Sequence, residues 1–395
     1  MDMRQLIVIL LTILVSSEAN HGRISIPLSG NYTTIAKEFG FNTREYEVVT
    51  EDGYILPIFN IPGKREVVLL VHGIADSADT FIIRGDKSLA ITLAKAGYDV
   101  WSANMRGNRY SRRHLYLNPD KDKQFWNYSF HEMGYYDIPA IIDFILQKTG
   151  ERSLSAIGHS LGNTVFYVMG STRPEYNEKI NVVIALSPIC FFNHAKPPVS
   201  SLLETIPYIS DVLVRLGQEE VMGDETSTRK MITLLCTVIK SYEICVNGLL
   251  SRIGGSDPDE LEPDFLPTLF THFPTGTSRK TGLHLAQGYL KKDFALYDYG
   301  ERNIEVYNSY YAPKYDLNRV TMKVVLLAGK NDALSSIRDV MLLRDKLPNV
   351  DYRTLKHKNF NHQDATWGKN MDKYLYPYIF DSLRKYGTKY YLFKR

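Results

Sequence analysis

Three cysteines in 395 residues are too few to build a disulfide scaffold, so the chain must fold around an apolar core. No stretch approaches the ~20 consecutive apolar residues that span a bilayer. Positive charge is not concentrated either. The 47 Lys and Arg nearly balance the 44 Asp and Glu, the formal charge is +3, and the basic residues are scattered. That distribution gives no reason to expect a nucleic-acid partner. Neither a G-x-G-x-x-G pattern nor a phosphate loop occurs, and the ten histidines show no ligand-like clustering. No cofactor and no metal are therefore expected. Repeats and low-complexity tracts are also missing, and 44% hydrophobic residues suit a folded globular chain.

The start of the chain sets an expectation about compartment. "MDMRQLIVILLTILVSSEAN" has a charged beginning, an apolar run from Leu6 to Val15, and small residues near Ser17 and Ala19. That is the layout of a cleaved secretory leader over residues 1–19. Secretion or lysosomal delivery is expected, with no integral membrane segment left after removal. Secretion makes Asn31 in "NYT" and Asn127 in "NYS" candidate glycosylation acceptors. It also permits disulfides. Cys236 and Cys245 lie close enough for a local staple, which would leave Cys190 free and buried.

"REYEVVTEDGYILPIFNIPG" reads as two strands joined at Asp52-Gly53, a strong hairpin signal. Apolar runs follow at 66–74, 98–107, 153–160, 180–188 and 322–332, with "DYRTLKH" as the last strand candidate. Helical stretches separate them at 88–97, 137–150, 162–171 and 336–347. Strands apolar on both faces, alternating with helices, predict an α/β chain with a mainly parallel sheet. The alternation fails over roughly 193–315, which contains "SLLETIPYISDVLVRLG" and "GGSDPDELEPDFLP". An insertion between two halves of one sheet explains this best. The expected division is a core over 20–192, an insertion over 193–315, and core again over 316–395.

"GHSLG" at 158–162 follows the strand run "SLSAI" and precedes a helical stretch. A sharp strand-to-helix turn brings the two elements together and leaves no room for side chains at Gly158 and Gly162. It also pushes the Ser160 hydroxyl into the open. A serine hydroxyl needs a base, itself oriented by an acid, to act as a nucleophile. Asp332 closes a strand at the same sheet edge, and His362 follows in "NFNHQD". Asp339, within a predicted helix, and His357, assigned to the last strand, are weaker candidates. Two N–H donors must stabilise a tetrahedral oxyanion. The Leu161 N–H, beside the serine, is one candidate, and the Ile74 N–H in "VHGIAD" is the other. His72 reads as a turn-stabilising group.

With these residues in view, the chain resembles the acid lipase family, which includes gastric and lysosomal acid lipases and insect relatives. The shared motifs run in order along the chain: "YEVVTEDGYIL", "VHGIADSADTF", "NMRGNRYSRRH", "FWNYSFHEMGYYDIPAIIDFI", "GHSLG", "HLAQGYLKKDFALYDYG", "AGKNDALSSIRDV" and "NFNHQDATWG". The resemblance implies an α/β-hydrolase fold, with an eight-stranded, mainly parallel sheet and a helical cap and lid inserted after the sixth strand. It further implies a Ser160–Asp332–His362 triad, oxyanion donors at Ile74 and Leu161, and a Cys236–Cys245 disulfide in the cap. The implied partner is a lipid ester, an acylglycerol or a sterol ester, met at a lipid–water interface. Departures from the family pattern are Leu161 for the usual glutamine, Ala365 for an aromatic residue, and Phe81 for tryptophan. Two other functions fit the same fold: a silent lipid-binding or storage protein, and an esterase for small soluble esters.

Overall fold

A computed structural model describes residues 30–238 and 242–388; the expected leader at 1–19 lies outside them. The strands are β1 Arg44–Val49, β2 Ile55–Ile61, β3 Val67–Val71, β4 Asp99–Ala103, β5 Leu154–His159, β6 Ile180–Leu186, β7 Glu220–Val221, β8 Thr277–Ser278, β9 Val324–Ala328 and β10 Val350–Thr354. Eight form one sheet in the order β1-β2-β4-β3-β5-β6-β9-β10. β2 pairs antiparallel with β1 and β4, and every later pairing is parallel. β7 and β8 make a separate two-stranded ribbon.

Strand side chains alternate between two cores, as the period of two requires. Leu69, Val71, Ala156, Val183, Ala185, Val324 and Leu326 point into one, beneath the helices α3 (Ile138–Thr149) and α4 (Leu161–Thr172). Val68, Leu70, Ile157, Val182, Ile184, Val325 and Leu327 point into the other. There they meet α1 (Tyr32–Glu38), α2 (Leu89–Lys95) and α8 (Tyr376–Tyr386). Burial on both faces is why these strands read as unbroken apolar runs.

Between β6 and β9 the chain leaves the sheet for mainly helical segments, including α5 (Val199–Arg215) and α6 (Arg279–Lys291). Cys236 and Cys245 form a disulfide there with Cα atoms 5.7 Å apart, and Cys190 is free and buried. Val246, Leu250, Phe265 and Phe270 from this stretch join the second core. α5 buries Val199 and Leu203 against Ile189 and Phe192. Its far half instead turns apolar side chains to solvent, with Tyr208 74% and Val212 55% exposed. The other side of that half packs on α6, where Ser210 is buried and accepts a hydrogen bond from Arg279 at 2.6 Å.

The hairpin expected at Asp52-Gly53 is present: β1 and β2 pair antiparallel around a short loop in which the Gly53 N–H donates to the Thr50 carbonyl at 3.0 Å and Gly53 takes φ 96°. Thr50 N–H donates to the Tyr54 carbonyl, Thr50 Oγ1 donates to Asp52, and the other side of Asp52 is held by Arg106. Those bonds close the loop. One local expectation is corrected. His357 lies three residues past the end of β10. Its ring stacks on Tyr374 at 4.2 Å and pairs with Asp257 from the inserted region, 2.5 Å away. That pairing draws it off the strand.

Candidate active site

β5 stops at His159 and α4 starts at Leu161, so the turn consists of Ser160 alone. Ser160 has φ 55° and ψ −120°, a strained conformation for a residue with a side chain. Its N–H donates to the Leu186 carbonyl at 3.1 Å, which holds the turn against β6. The flanking glycines are required by contact. A Cβ at Gly158 would lie 2.6 Å from the Gly162 carbonyl oxygen, and one at Gly162 would lie 2.2 Å from that of Val71.

His362 and Asp332 reach this turn from the loops after β10 and β9. His362 Nε2 lies 2.9 Å from Ser160 Oγ, and its Nδ1 lies 3.0 Å from Asp332 Oδ2. Asp332 Oδ1 also accepts the Leu334 and Ser335 N–H groups at 3.0 and 2.7 Å. Burial pushes the Asp332 carboxyl up, but the His362 imidazole and the Ser335 N–H outweigh it and hold it below its ordinary value. It is therefore a carboxylate at neutral pH. All three side chains are buried, with Ser160 4% exposed.

Ile74 follows Gly73, which packs so tightly on the serine that an added Cβ would lie 3.2 Å from Ser160 Cβ. Ala75 then turns the chain with φ 51°. Among the described residues, neither the Ile74 N–H nor the Leu161 N–H has a hydrogen-bond partner. The Leu161 N–H also opens a twelve-residue helix, whose N-terminal dipole favours negative charge. His72 Nδ1–H donates to the Gly73 carbonyl at 2.8 Å, while Nε2 accepts the Met105 N–H at 3.1 Å. Burial lowers it to about 4, so it stays neutral and braces the turn.

Asp339 sits inside the helix α7 (Ile337–Arg344) and pairs with His194 at 2.9 Å, away from the serine. Asn31 and Asn127 are exposed. Asn31 Oδ1 caps α1 through the Thr34 N–H at 3.0 Å. No group of three or more His, Cys, Asp or Glu among the described residues could hold a metal. No helix among them is long and apolar enough to cross a membrane.

Several supporting residues escaped the sequence reading. His159 donates from Nε2 to the His362 carbonyl at 3.1 Å, and its ring lies 5.0 Å from the His362 ring. Its place beside the serine in "GHSLG" was the available signal. Arg106 is fully buried and binds Asp137 at 2.6 Å and Asp52 at 2.6 Å, beneath the Tyr54 ring. It lies in "NMRGNRYSRRH", where an arginine amid small residues hinted at a buried role. A cavity of about 290 Å³ beside α4 is lined by Thr164, Ile189, Phe192, Leu285 and Phe294, but not by Ser160.

Residues 66–362 match the family model for the alpha/beta hydrolase fold, and residues 32–85 match that for a partial alpha/beta-hydrolase lipase region. Lipase 3 of Drosophila melanogaster is 36% identical over 361 residues, covering 88% of this chain and 91% of that protein. Rat gastric triacylglycerol lipase is 35% identical, with 88% and 89% covered. Among solved structures, a thermophilic esterase from Thermogutta terrifontis superposes with a TM-score of 0.54 at 13% identity. It covers 87% of this chain and 100% of the esterase, a likeness of fold. On the matched motifs and the extent of the identity, the chain belongs to the acid lipase family of carboxylic ester hydrolases, built on the α/β-hydrolase fold.

Proposed function

We propose that this protein is a secreted lipase that cleaves acylglycerol esters, with sterol esters as a second substrate class, through an acyl-enzyme on Ser160. The observation that supports this most is the unbroken line of contacts from Ser160 Oγ through both nitrogens of His362 to Asp332.

In this reading Ser160 Oγ attacks the ester carbonyl carbon and its proton passes to His362 Nε2. Asp332 holds the Nδ1–H and stabilises the imidazolium. The carbonyl oxygen becomes an oxyanion and takes the Ile74 and Leu161 N–H groups, each worth ~3 kcal/mol to the transition state. The C–O bond to the alcohol breaks as Nε2 returns the proton to the departing oxygen. Water then attacks the acyl carbon and gives its proton to Nε2, and Ser160 leaves with that proton as the fatty acid departs.

Residues 193–315 act as the cap and carry the lid. The burial of Ser160 supports a cap that moves, because a substrate reaches the hydroxyl only after a covering segment gives way. The exposed apolar half of α5 suits contact with a lipid–water interface. The leader at 1–19 and exposed Asn31 and Asn127 fit a glycosylated extracellular protein, with lysosomal delivery as the variant destination.

Turnover of triolein, cholesteryl oleate and p-nitrophenyl butyrate, each beside a Ser160→Ala control, tests the reading. Hydrolysis of the long-chain esters, abolished in the control, is expected. No turnover by the wild type would leave a lipid-binding protein, and butyrate turnover alone would leave a small-ester esterase.

A further inference from the structure

The segment "GGSDPDELEPDFLP" lies between β6 and β9, yet its first residues touch both loops that carry the triad's acid and base. The Gly254 carbonyl accepts two N–H groups: that of His362 at 3.0 Å and that of Ala333, next to Asp332, at 3.4 Å. Four residues earlier, at the end of the preceding helical segment, the Leu250 carbonyl accepts Gln363 Nε2 at 2.8 Å. Two residues later, the Ser256 carbonyl accepts Asn331 Nδ2 at 2.7 Å. The residues flanking Asp332 and His362 are thus bonded to one short stretch, residues 250–256, where a helix ends and the chain turns.

The turn has no slack. A Cβ at Gly255 would lie 2.0 Å from the Asn331 backbone oxygen and 2.9 Å from Asn361 Cβ, and its φ is +105°. A Cβ at Gly254 would lie 2.0 Å from Gln363 Nε2. Gly255 is required because its backbone meets that of Asn331 at a positive φ, and Gly254 leaves room for the Gln363 side-chain amide, on the loops beside the two triad residues. Further along, Asp257 pairs with His357 and Glu260 accepts both the N–H and the side-chain amide of Asn370. The turn is anchored on each side.

We propose that the Gly254–Gly255 turn is a positioning element for catalysis: the shared Gly254 carbonyl sets the spacing of the Asp332 and His362 loops, so the inserted region, and not the sheet alone, holds the acid and base in register. This rests on the Ser160–His362–Asp332 reading. A shift of one loop against the other moves Nδ1 off the carboxylate and Nε2 off the serine hydroxyl. Such errors of about 1 Å cost as much as 100-fold in rate. Binding of a small ester needs none of these contacts.

Full-length protein carrying Gly255→Ala or Gln363→Met is compared with wild type for kcat, KM and Tm on soluble p-nitrophenyl butyrate. Arg109→Met serves as the control. It removes a tether between the core and Asp224 and Thr271 that does not involve the triad loops. Both turn variants are expected to lose about 10- to 100-fold in kcat with KM changed less than about twofold. Arg109→Met should lower Tm and keep kcat. Should Gly255→Ala fail to fold, Gln363→Met carries the test, since it keeps side-chain length and removes only the donor. Wild-type kcat in Gln363→Met, with lowered Tm alone, overturns the proposal and leaves the triad standing. A wild type that turns over no ester overturns both.

Discussion

The Asp332 carboxylate approaches His362 Nδ1 to 3.0 Å while taking two backbone N–H groups from its own loop, so it is held from both sides. In the proposed mechanism that arrangement has a kinetic consequence. Asp332→Asn keeps the shape but offers an N–H where the imidazole needs an acceptor, favouring the wrong tautomer. We expect kcat on p-nitrophenyl butyrate to fall about 10,000-fold with Tm little changed. A loss below about tenfold would mean that Asp332 is not the orienting acid.

Arg106 predicts a stability effect far from the serine. It is fully buried between Asp137, also buried, and Asp52. Arg106→Met strands the Asp137 carboxylate without its partner, which typically costs ~3–5 kcal/mol. Urea unfolding should register that loss. A double change, Arg106→Met with Asp137→Asn, should recover part of it.

The Cys236–Cys245 bridge closes a short loop, a sequence separation of nine. Loop-closure entropy for such a loop gives ~3 kcal/mol. Replacing both cysteines by serine should lower the melting temperature, and reducing agent should do the same to the wild type but nothing to the variant. Cys190 is buried, and burial raises its thiol well above its ordinary value, so it should resist alkylation until the chain unfolds.

His159 predicts a pH dependence with a definite sign. Burial first, and the neighbouring His362 ring second, lower it from 6.5 to about 3. The folded chain therefore refuses a proton that the unfolded chain takes up below about pH 6.5. The stability this group contributes at neutral pH is lost as pH falls from 6.5 toward 3. Between pH 6.5 and 4.5 the loss is ~2 kcal/mol. In thermal melts, wild type should lose stability more steeply than His159→Gln over that range. Parallel curves would show that His159 does not titrate this way.

Much of the architecture was legible because its signals are local. Strands buried on both faces leave apolar runs, and Leu69, Ile157 and Val325 stand in three of them. The glycines at 158 and 162 are legible for the same reason, since each clashes within a few residues or with the adjacent strand. What escaped depends on distant partners. Arg106 meets Asp52 across 54 residues, and His357 meets Asp257 across 100. The Gly254 carbonyl meets His362 far along the chain. Such pairs leave no periodicity, so His357 was placed on a strand.

The most direct test uses a phosphonate ester carrying a nitrophenyl leaving group, followed by peptide mass mapping. Wild type should release one nitrophenol per chain and carry the phosphonyl group on Ser160, while His362→Gln should react at least about 1,000-fold more slowly. Labelling at another residue, or equal rates in the two proteins, would contradict the account.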